Sequence, residues 1–238
     1  MRGLIVGALG EVGAAHLSIL KDKYETFGID LKESKESEIK DIEILHIAIR
    51  YGESFIEEVQ GYIRQFQPKL VNILSTVPPG TTEMVGPNAV HSTTRGLHPH
   101  LRDGLLHIPK HIGGPASRLV AGYFSEAGIP CITHKRARTT EVAHIAHLVN
   151  YGIQLVAADI DQNICRLGGV DYLESVIKYR ETHNRGFRAL DMDGKSRMVL
   201  VPPNGHIGGH CVIAAAKMAI EHMGVKNPIV EVLAHYND

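Results

Sequence analysis

The sequence predicts an α/β fold: a parallel sheet with helices on both faces, followed by a long-helix α-helical segment. In the first half of the chain, short branched apolar runs alternate with helical patterns, as in successive βαβ units. In the second half, apolar residues recur every three or four positions from Thr139 to about Leu167, which indicates one long helix. We therefore expect a domain over residues 1–135 and a helical segment over residues 136–238.

The predicted strands are short and continuously apolar, which is typical of strands buried on both faces. They are expected at Leu4–Val6, Thr26–Ile29, Ile42–Ile49, Leu70–Leu74, Ala89–His91, Lys110–Ile112 and Pro130–Thr133. Helices are expected between them at Glu11–Leu20, Ser54–Phe66 and Ser117–Ala127. Farther on, Gly168-Gly169 ends the long helix, another helix follows Asp171, and a last one covers Val212–Met223.

Composition excludes several classes of function. The 238 residues carry 25 basic and 26 acidic side chains, so the net charge of −1 gives no basic face for nucleic acid. No run of 18 apolar residues is present, and we expect no membrane helix. Three scattered cysteines favour reduced thiols and a cytoplasmic location. The expected partner is therefore a small-molecule substrate, without nucleic acid or membrane.

A glycine-rich turn joins the first strand to the first helix. Its sequence, Gly7-Ala8-Leu9-Gly10-Glu11-Val12-Gly13, is a variant of the Rossmann-type dinucleotide fingerprint, in which glycines admit a pyrophosphate to a helix N-terminus. Asp30 follows the second strand, where a carboxylate binds a ribose diol and repels a 2′-phosphate, so NAD is favoured over NADP. The same geometry also suits S-adenosylmethionine, or merely packs the helix on the strand. Gly7, Gly10, Glu11, Val12, Gly13 and Asp30 are the candidate cofactor residues.

A second loop follows the fourth strand with the sequence Ser75-Thr76-Val77-Pro78-Pro79-Gly80-Thr81-Thr82. Ligands bind at the carboxyl ends of parallel strands, so Ser75, Thr76 and Pro78 are expected beside the cofactor. The loop resembles the STVPxGT loop of the UDP-glucose/GDP-mannose dehydrogenases. The resemblance continues in order along the chain. Leu101–Gly104 looks like that family's LREG segment, and Glu141 looks like the Glu of its long helix. Cys165–Asp171 looks like its CxxxGxD segment, and Gly205–Cys211 looks like its GxGxGGHC segment.

The resemblance implies an NAD-dependent oxidoreductase whose site loops converge on one cleft. The catalytic residues that it implies are Cys211, His144, Thr76, Asp103 and Glu141. Cys211 follows two glycines at the start of a helix, where the helix dipole stabilises a thiolate. Histidines and an arginine around the same motifs are expected to bind substrate: His98, His100, Arg102, His147 and His210. No HExxH or CxxC spacing is present, so no metal is expected.

The chain also departs from that family in the residues that carry its chemistry. His144 stands where the family has its catalytic Lys, Leu148 replaces an Asn, and Ala215 replaces an Asp. The family's Pro-Glu-Phe carboxylate falls near Pro99-His100, and its C-terminal nucleotide-sugar domain has no counterpart, as in a truncated, divergent member. Such losses favour a two-electron oxidation over a four-electron one.

Three hypotheses follow. The first is an NAD-dependent oxidoreductase acting on an alcohol or sugar-type substrate, with Cys211 in the active site. The second is a catalytically degenerate nucleotide-binding protein, and the third is an S-adenosylmethionine-dependent transferase. The length and apolar character of the predicted helix over Thr139–Leu167 also predict a homodimer formed through this helix.

Overall fold

The computed structural model describes residues 1–30, 39–96, 99–208 and 211–238. The chain forms two compact units, Met1–His144 and Ile145–Asp238. The boundary between them falls inside one long helix, α6 (Ala137–Leu167), whose N-terminal turns belong to the first unit.

The first unit is built around one sheet, which confirms the predicted α/β class. Its seven described strands are β1 (Arg2–Val6), β2 (Glu25–Ile29), β3 (Ile44–Ile47), β4 (Leu70–Ile73), β5 (Ala89–His91), β6 (Lys110–Gly113) and β7 (Cys131–His134). They are ordered β2-β1-β3-β4-β5-β6-β7. The helices before α6 are α1 (Glu11–Leu20), α2 (Phe55–Phe66), α3 (Thr81–Val85), α4 (Leu101–His107) and α5 (Ser117–Glu126).

The sheet is not parallel throughout. Strands β1 to β5 pair in parallel, but β6 runs antiparallel to β5, with His91 opposite Gly113, and β7 pairs in parallel with β6. The parallel direction predicted for the last two strands is therefore wrong relative to the rest of the sheet. A short apolar run specifies burial, whereas its direction depends on the end of the sheet to which the preceding connection leads.

Two apolar clusters form the core of this unit. One contains Ile5, Leu105 and Phe124, and the other contains Val6 and Phe55. Neighbouring residues of β1, Ile5 and Val6, belong to different clusters because successive side chains of a strand point to opposite faces. The sheet is thus covered on both faces, as the continuous apolar strands predict.

Helix α4 lies in a segment for which no helix is predicted. Leu101 and Leu105 lie one helical turn apart, and both are buried in the first cluster. An added Cβ at Gly104 would lie 2.8 Å from the carbonyl oxygen of Arg95, so the glycine permits a close backbone approach. The glycine and the polar residues obscure this two-leucine pattern in the sequence.

The second unit is helical, as predicted. After α6 it contains a π-helical turn (Leu173–Ile177), α7 (Lys178–Ala189), a 3₁₀ turn (Asp193–Lys195), α8 (Cys211–Glu221) and α9 (Pro228–Ala234), of which α9 is not predicted. Gly152 of α6 lies against the other helices: an added Cβ would lie 2.5 Å from Val212 and 2.7 Å from Leu233. The missing side chain therefore allows α8 and α9 to pack on α6.

Helix α6 also exposes apolar side chains within the second unit. Ile160, Ile164 and Leu167 are exposed by 56%, 61% and 74%, and their spacing places them on one face of the helix. The homodimer through this helix stays a prediction. Within the described ranges, no helix is both long enough and apolar enough to cross a membrane.

Candidate functional site

The glycine turn after β1 depends on two glycines for its shape. Gly7 has φ +84°, and a Cβ on it would lie 2.5 Å from the carbonyl oxygen of Ala48. A Cβ on Gly13 would lie 2.1 Å from the carbonyl oxygen of Gly7. The amides of Gly7 and Ala8 both donate to the carbonyl oxygen of Ile29, at 2.9 and 3.1 Å. The turn is therefore held between the ends of β1 and β2, with α1 packed directly against it.

Gly10 differs from these two glycines because packing does not require it. It is exposed, and it precedes α1 with ordinary extended angles, φ −72° and ψ 155°. An added Cβ would meet only the carbonyl oxygen of Gly7, at 3.4 Å. Glu11 and Val12, the first two residues of α1, lie just beyond it at the N-terminus of the helix, the end that favours an anion. The space that a side chain would fill here fits the pyrophosphate of a dinucleotide.

The carboxylate of Asp30 lies beside the turn. Its Oδ2 accepts a hydrogen bond from the amide of Leu9 at 3.2 Å, just beyond the end of β2. This places a negative charge next to the turn, as ribose recognition requires. The turn and Asp30 together fit an NAD-type dinucleotide without a 2′-phosphate.

The loop between β4 and α3 is held by Glu141 from α6. Glu141 is fully buried, with Oε2 accepting from the amide of Gly80 at 2.6 Å and Oε1 from the amide of Thr82 at 2.9 Å. Gly80, with φ +99°, is the residue that precedes α3, and no side chain of its own segment caps the helix. Glu141 therefore supplies the cap from a distant part of the chain. In the structure this side chain positions the loop; its predicted catalytic role stays a prediction.

The same loop contacts α6 again one turn farther along. Oγ1 of Thr76 lies 3.0 Å from Nε2 of His144, and His144 is partly buried. The structure thus brings together two of the predicted catalytic residues, at the carboxyl end of β4. The hydroxyl of Ser75 instead donates to the carbonyl oxygen of Ile49 at 2.5 Å and joins the ends of β3 and β4. The carbonyl oxygen of Pro78 accepts a hydrogen bond from the amide of Thr81 at 3.2 Å within the loop.

A buried pair beneath this contact is missed by sequence reasoning. Nδ1 of His91 lies 2.8 Å from Oγ1 of Thr140, whose hydroxyl donates to the carbonyl oxygen of Ala137, also at 2.8 Å. Since the hydroxyl has only one proton, which it donates to Ala137, Nδ1 of His91 must carry a proton and donate it to Oγ1 of Thr140. Burial, with a smaller contribution from His144, lowers the pKa of His91 to about 3. His91 is therefore neutral and ties the end of β5 to α6.

The remaining predicted residues of the first unit lie on or before α4. His100 precedes α4, while Arg102 and Asp103 lie in its first turn; all three side chains are exposed. Their predicted roles at a substrate site stay predictions. His98 lies outside the described residues, as does His210.

In the second unit, Cys211 is exposed and is the first residue of α8, as its position after two glycines predicts. The preceding loop is held by Asn237: its Oδ1 accepts the amide of Ile207, and its Nδ2 donates to the carbonyl oxygen of Ile207, both at 2.9 Å. His147 of α6 is exposed. The amide clamp by Asn237 has no signature in the sequence, because it joins segments thirty residues apart.

In the part of the chain that the structure describes, no group of three or more His, Cys, Asp or Glu side chains could hold a metal ion.

Comparisons with known proteins give a likeness in fold. No protein-family model matches the chain, and no curated protein matches it in sequence. Among solved structures it is similar to the UDP-D-ManNAc dehydrogenase of Pyrococcus horikoshii, with TM-score 0.79, 17% identity, and coverage of 100% of this chain and 68% of that one. It is also similar to the UDP-glucose dehydrogenase of Pyrobaculum islandicum, with TM-score 0.72, 18% identity, and coverage of 99% of this chain and 67% of that one. A third similar structure is the 3-hydroxyisobutyrate dehydrogenase of Mycobacterium tuberculosis, with TM-score 0.69, 13% identity, and coverage of 99% of this chain and 92% of that one.

The likeness to the UDP-glucose/GDP-mannose dehydrogenases that the motifs predict is thus confirmed at the level of fold. This chain spans about two thirds of the length of the two nucleotide-sugar dehydrogenases, and most of the length of the 3-hydroxyisobutyrate dehydrogenase. This chain therefore shares its fold with these dehydrogenases, whose names give different substrates.

Proposed function

We propose that the protein is an NAD-dependent oxidoreductase that removes two electrons from an alcohol or sugar-type substrate. The observation that carries the proposal lies at one edge of the sheet. The glycine turn with Asp30 follows β1 and β2, while Thr76, in contact with His144, follows β4. These strands are parallel, so their carboxyl ends form a single edge, where ligands of such sheets bind.

The residues of the first unit suit a simple alcohol oxidation. NAD, when bound, supplies the acceptor for the hydride that leaves the substrate carbon. His144 takes the proton of the substrate hydroxyl through its imidazole, the side chain that most often acts as a general base. Thr76 orients that imidazole through the 3.0 Å contact, and Glu141 holds the Thr76 loop against the same helix.

The departures from the family pattern favour two electrons over four. Leu148 and Ala215 offer no polar group where an Asn and an Asp are expected, and Ala215 is fully buried. A second oxidation step requires such groups to hold water and to stabilise oxyanions. The same observation supports the second candidate, a nucleotide-binding protein without redox chemistry. Nothing in the compared structures supports an S-adenosylmethionine transferase.

Calorimetric titration with NAD, NADH, NADPH and S-adenosylmethionine tests the cofactor. We expect NAD or NADH to bind, NADPH to bind at least tenfold more weakly, and S-adenosylmethionine to give no heat of binding. The Asp30→Ala variant should lose that discrimination, because the repulsion of a 2′-phosphate disappears. Asp22→Ala, at an exposed aspartate after α1, is the control. Equal binding of NADH and NADPH by the wild type would contradict the role of Asp30.

Turnover of a panel of secondary alcohols, hydroxy acids and nucleotide sugars separates the two candidates. We expect NADH formation with one of these classes, a loss of about 100-fold in kcat for His144→Ala, and a change of no more than about threefold for Cys211→Ser. A thiol nucleophile is needed only for a four-electron oxidation. Two NADH per substrate together with an inactive Cys211→Ser variant would overturn the two-electron reaction. Tight NADH binding with no turnover on any class would favour the non-redox protein.

A further inference from the structure

A lysine amine is buried in the core of the first unit beside α1. Lys110, the first residue of β6, is only 3% exposed. Its Nζ lies 3.1 Å from Nε2 of His16 and 3.3 Å from the carbonyl oxygen of Thr93, and it lies 5.3 Å from the centre of the Phe124 ring. In the described part of the chain, no carboxylate forms an ion pair with this amine. Such a group has no role in the proposed reaction.

His16 connects this amine to the glycine turn. Its Nδ1 lies 2.8 Å from the carbonyl oxygen of Val12, in the first turn of α1. A carbonyl oxygen can only accept, so Nδ1 carries the proton, and Nε2 must accept from Nζ of Lys110. One neutral imidazole therefore spans the gap between the buried amine and the turn at which a pyrophosphate would bind.

The surroundings of Lys110 disfavour its charge. Burial, as the main cause, lowers the pKa of Lys110 to about 7. Among the described residues, the titratable groups that interact electrostatically with Lys110 come from several elements, and none of them is a carboxylate. They are His16, His46, His91, Arg95 and Cys131. Burial also holds the pKa of His16 far below its usual range, with a further contribution from Lys110. Lys110 is thus the group of this cluster whose charge can change near neutral pH.

We propose that Lys110 is a proton-linked part of the cofactor site: its amine becomes more protonated, by uptake from solvent of up to one proton, when a dinucleotide binds at the glycine turn. This inference rests on the proposed NAD binding. The negative charges of a pyrophosphate at the first turn of α1 favour the ammonium form through a low-dielectric core, where salt screens little. By linkage, a proton taken up on binding makes the affinity rise as the pH falls.

Isothermal calorimetry of the whole chain with NADH tests this directly. At pH 7.5, titrations in two buffers of different ionisation enthalpy should give different heats, which correspond to uptake of a fraction of a proton. The dissociation constant should fall roughly threefold to tenfold between pH 8.5 and pH 6. Lys110→Met should remove both effects, whereas Lys23→Met, at an exposed lysine, should retain them.

The variant is expected to fold. An unfolded lysine binds its proton below about pH 10.4, whereas folded Lys110 holds it only below about pH 7, so the buried amine costs increasing stability as the pH falls through this window. Lys110→Met should therefore raise the melting temperature at neutral pH. NADH binding with no proton uptake by the wild type, or with uptake that survives in Lys110→Met, would overturn the inference and leave the proposed function intact. No NADH binding at any pH would overturn both.

Discussion

Replacing Gly10 by alanine is expected to weaken NADH binding with little change in stability, whereas replacing Gly13 by alanine is expected to lower the stability of the protein. Gly10→Ala should weaken NADH binding more than tenfold, because its methyl group enters the space next to the first amides of α1. It should change the free energy of unfolding by about 1 kcal/mol or less, since its Cβ meets only an oxygen at 3.4 Å.

Gly13→Ala should instead unfold the turn. Its Cβ would lie 2.1 Å from the oxygen of Gly7 and 2.9 Å from the Cα of Ala8, both backbone atoms that cannot rotate away. Strain of this kind costs about 1–3 kcal/mol and in some cases more. Urea unfolding and NADH titration of both variants provide the measurement, and each variant is the control for the other. A destabilised Gly10→Ala variant, or one that binds NADH normally, would show that Gly10 serves packing and not a ligand.

Removal of the Glu141 carboxylate is expected to give the second large effect. Glu141→Ala leaves the amides of Gly80 and Thr82 buried without acceptors and creates a cavity. An unsatisfied buried group costs about 1–3 kcal/mol, so we expect a loss of about 3–5 kcal/mol in the free energy of unfolding. This is a large fraction of the stability of an ordinary domain. NADH binding should weaken too, because the loop that carries Thr76 loses its support.

Two further variants separate capping from general loss of charge. Glu141→Gln keeps one acceptor oxygen but turns its amino group toward the other amide, so it should lose about 1–3 kcal/mol. Glu83→Ala removes an exposed acid from the first turn of α3 and should change stability by less than about 1 kcal/mol. Chemical denaturation gives all three values. If Glu141→Gln were as stable as the wild type and Glu141→Ala nearly so, the two hydrogen bonds would not hold the loop.

The two loops of the candidate site are the part that local sequence patterns predict. The glycine turn and the loop at Ser75–Thr82 are each contiguous in sequence, and each follows a strand whose apolar run is easily recognised. Local geometry then places Gly7, Gly10 and Gly13 in the turn, and the parallel register of β1, β3 and β4 brings both segments to one edge. The resemblance to a dehydrogenase family depends on the same contiguous motifs.

Contacts between distant segments lie beyond this reasoning. Glu141 can be recognised from the family pattern, but its function as a cap for α3 depends on the packing of α6 against a loop about sixty residues earlier. The pair of His91 and Thr140, and the buried amine of Lys110 beside His16, have no motif at all. Each pair joins residues that lie far apart in the sequence, His91 with Thr140 and His16 with Lys110, so no contiguous pattern records it.

The sequence by itself determined the α/β class, most strand and helix positions, and the glycine-rich turn between β1 and α1, because these follow from periodicity and from the conformational freedom of glycine. Only the tertiary structure decided that β6 reverses direction, that α4 and α9 are helices, and that Thr76 lies against His144. These features depend on which distant segments share a buried space. The energy of a buried polar contact is set by partners that lie far away along the chain, and local patterns do not record them.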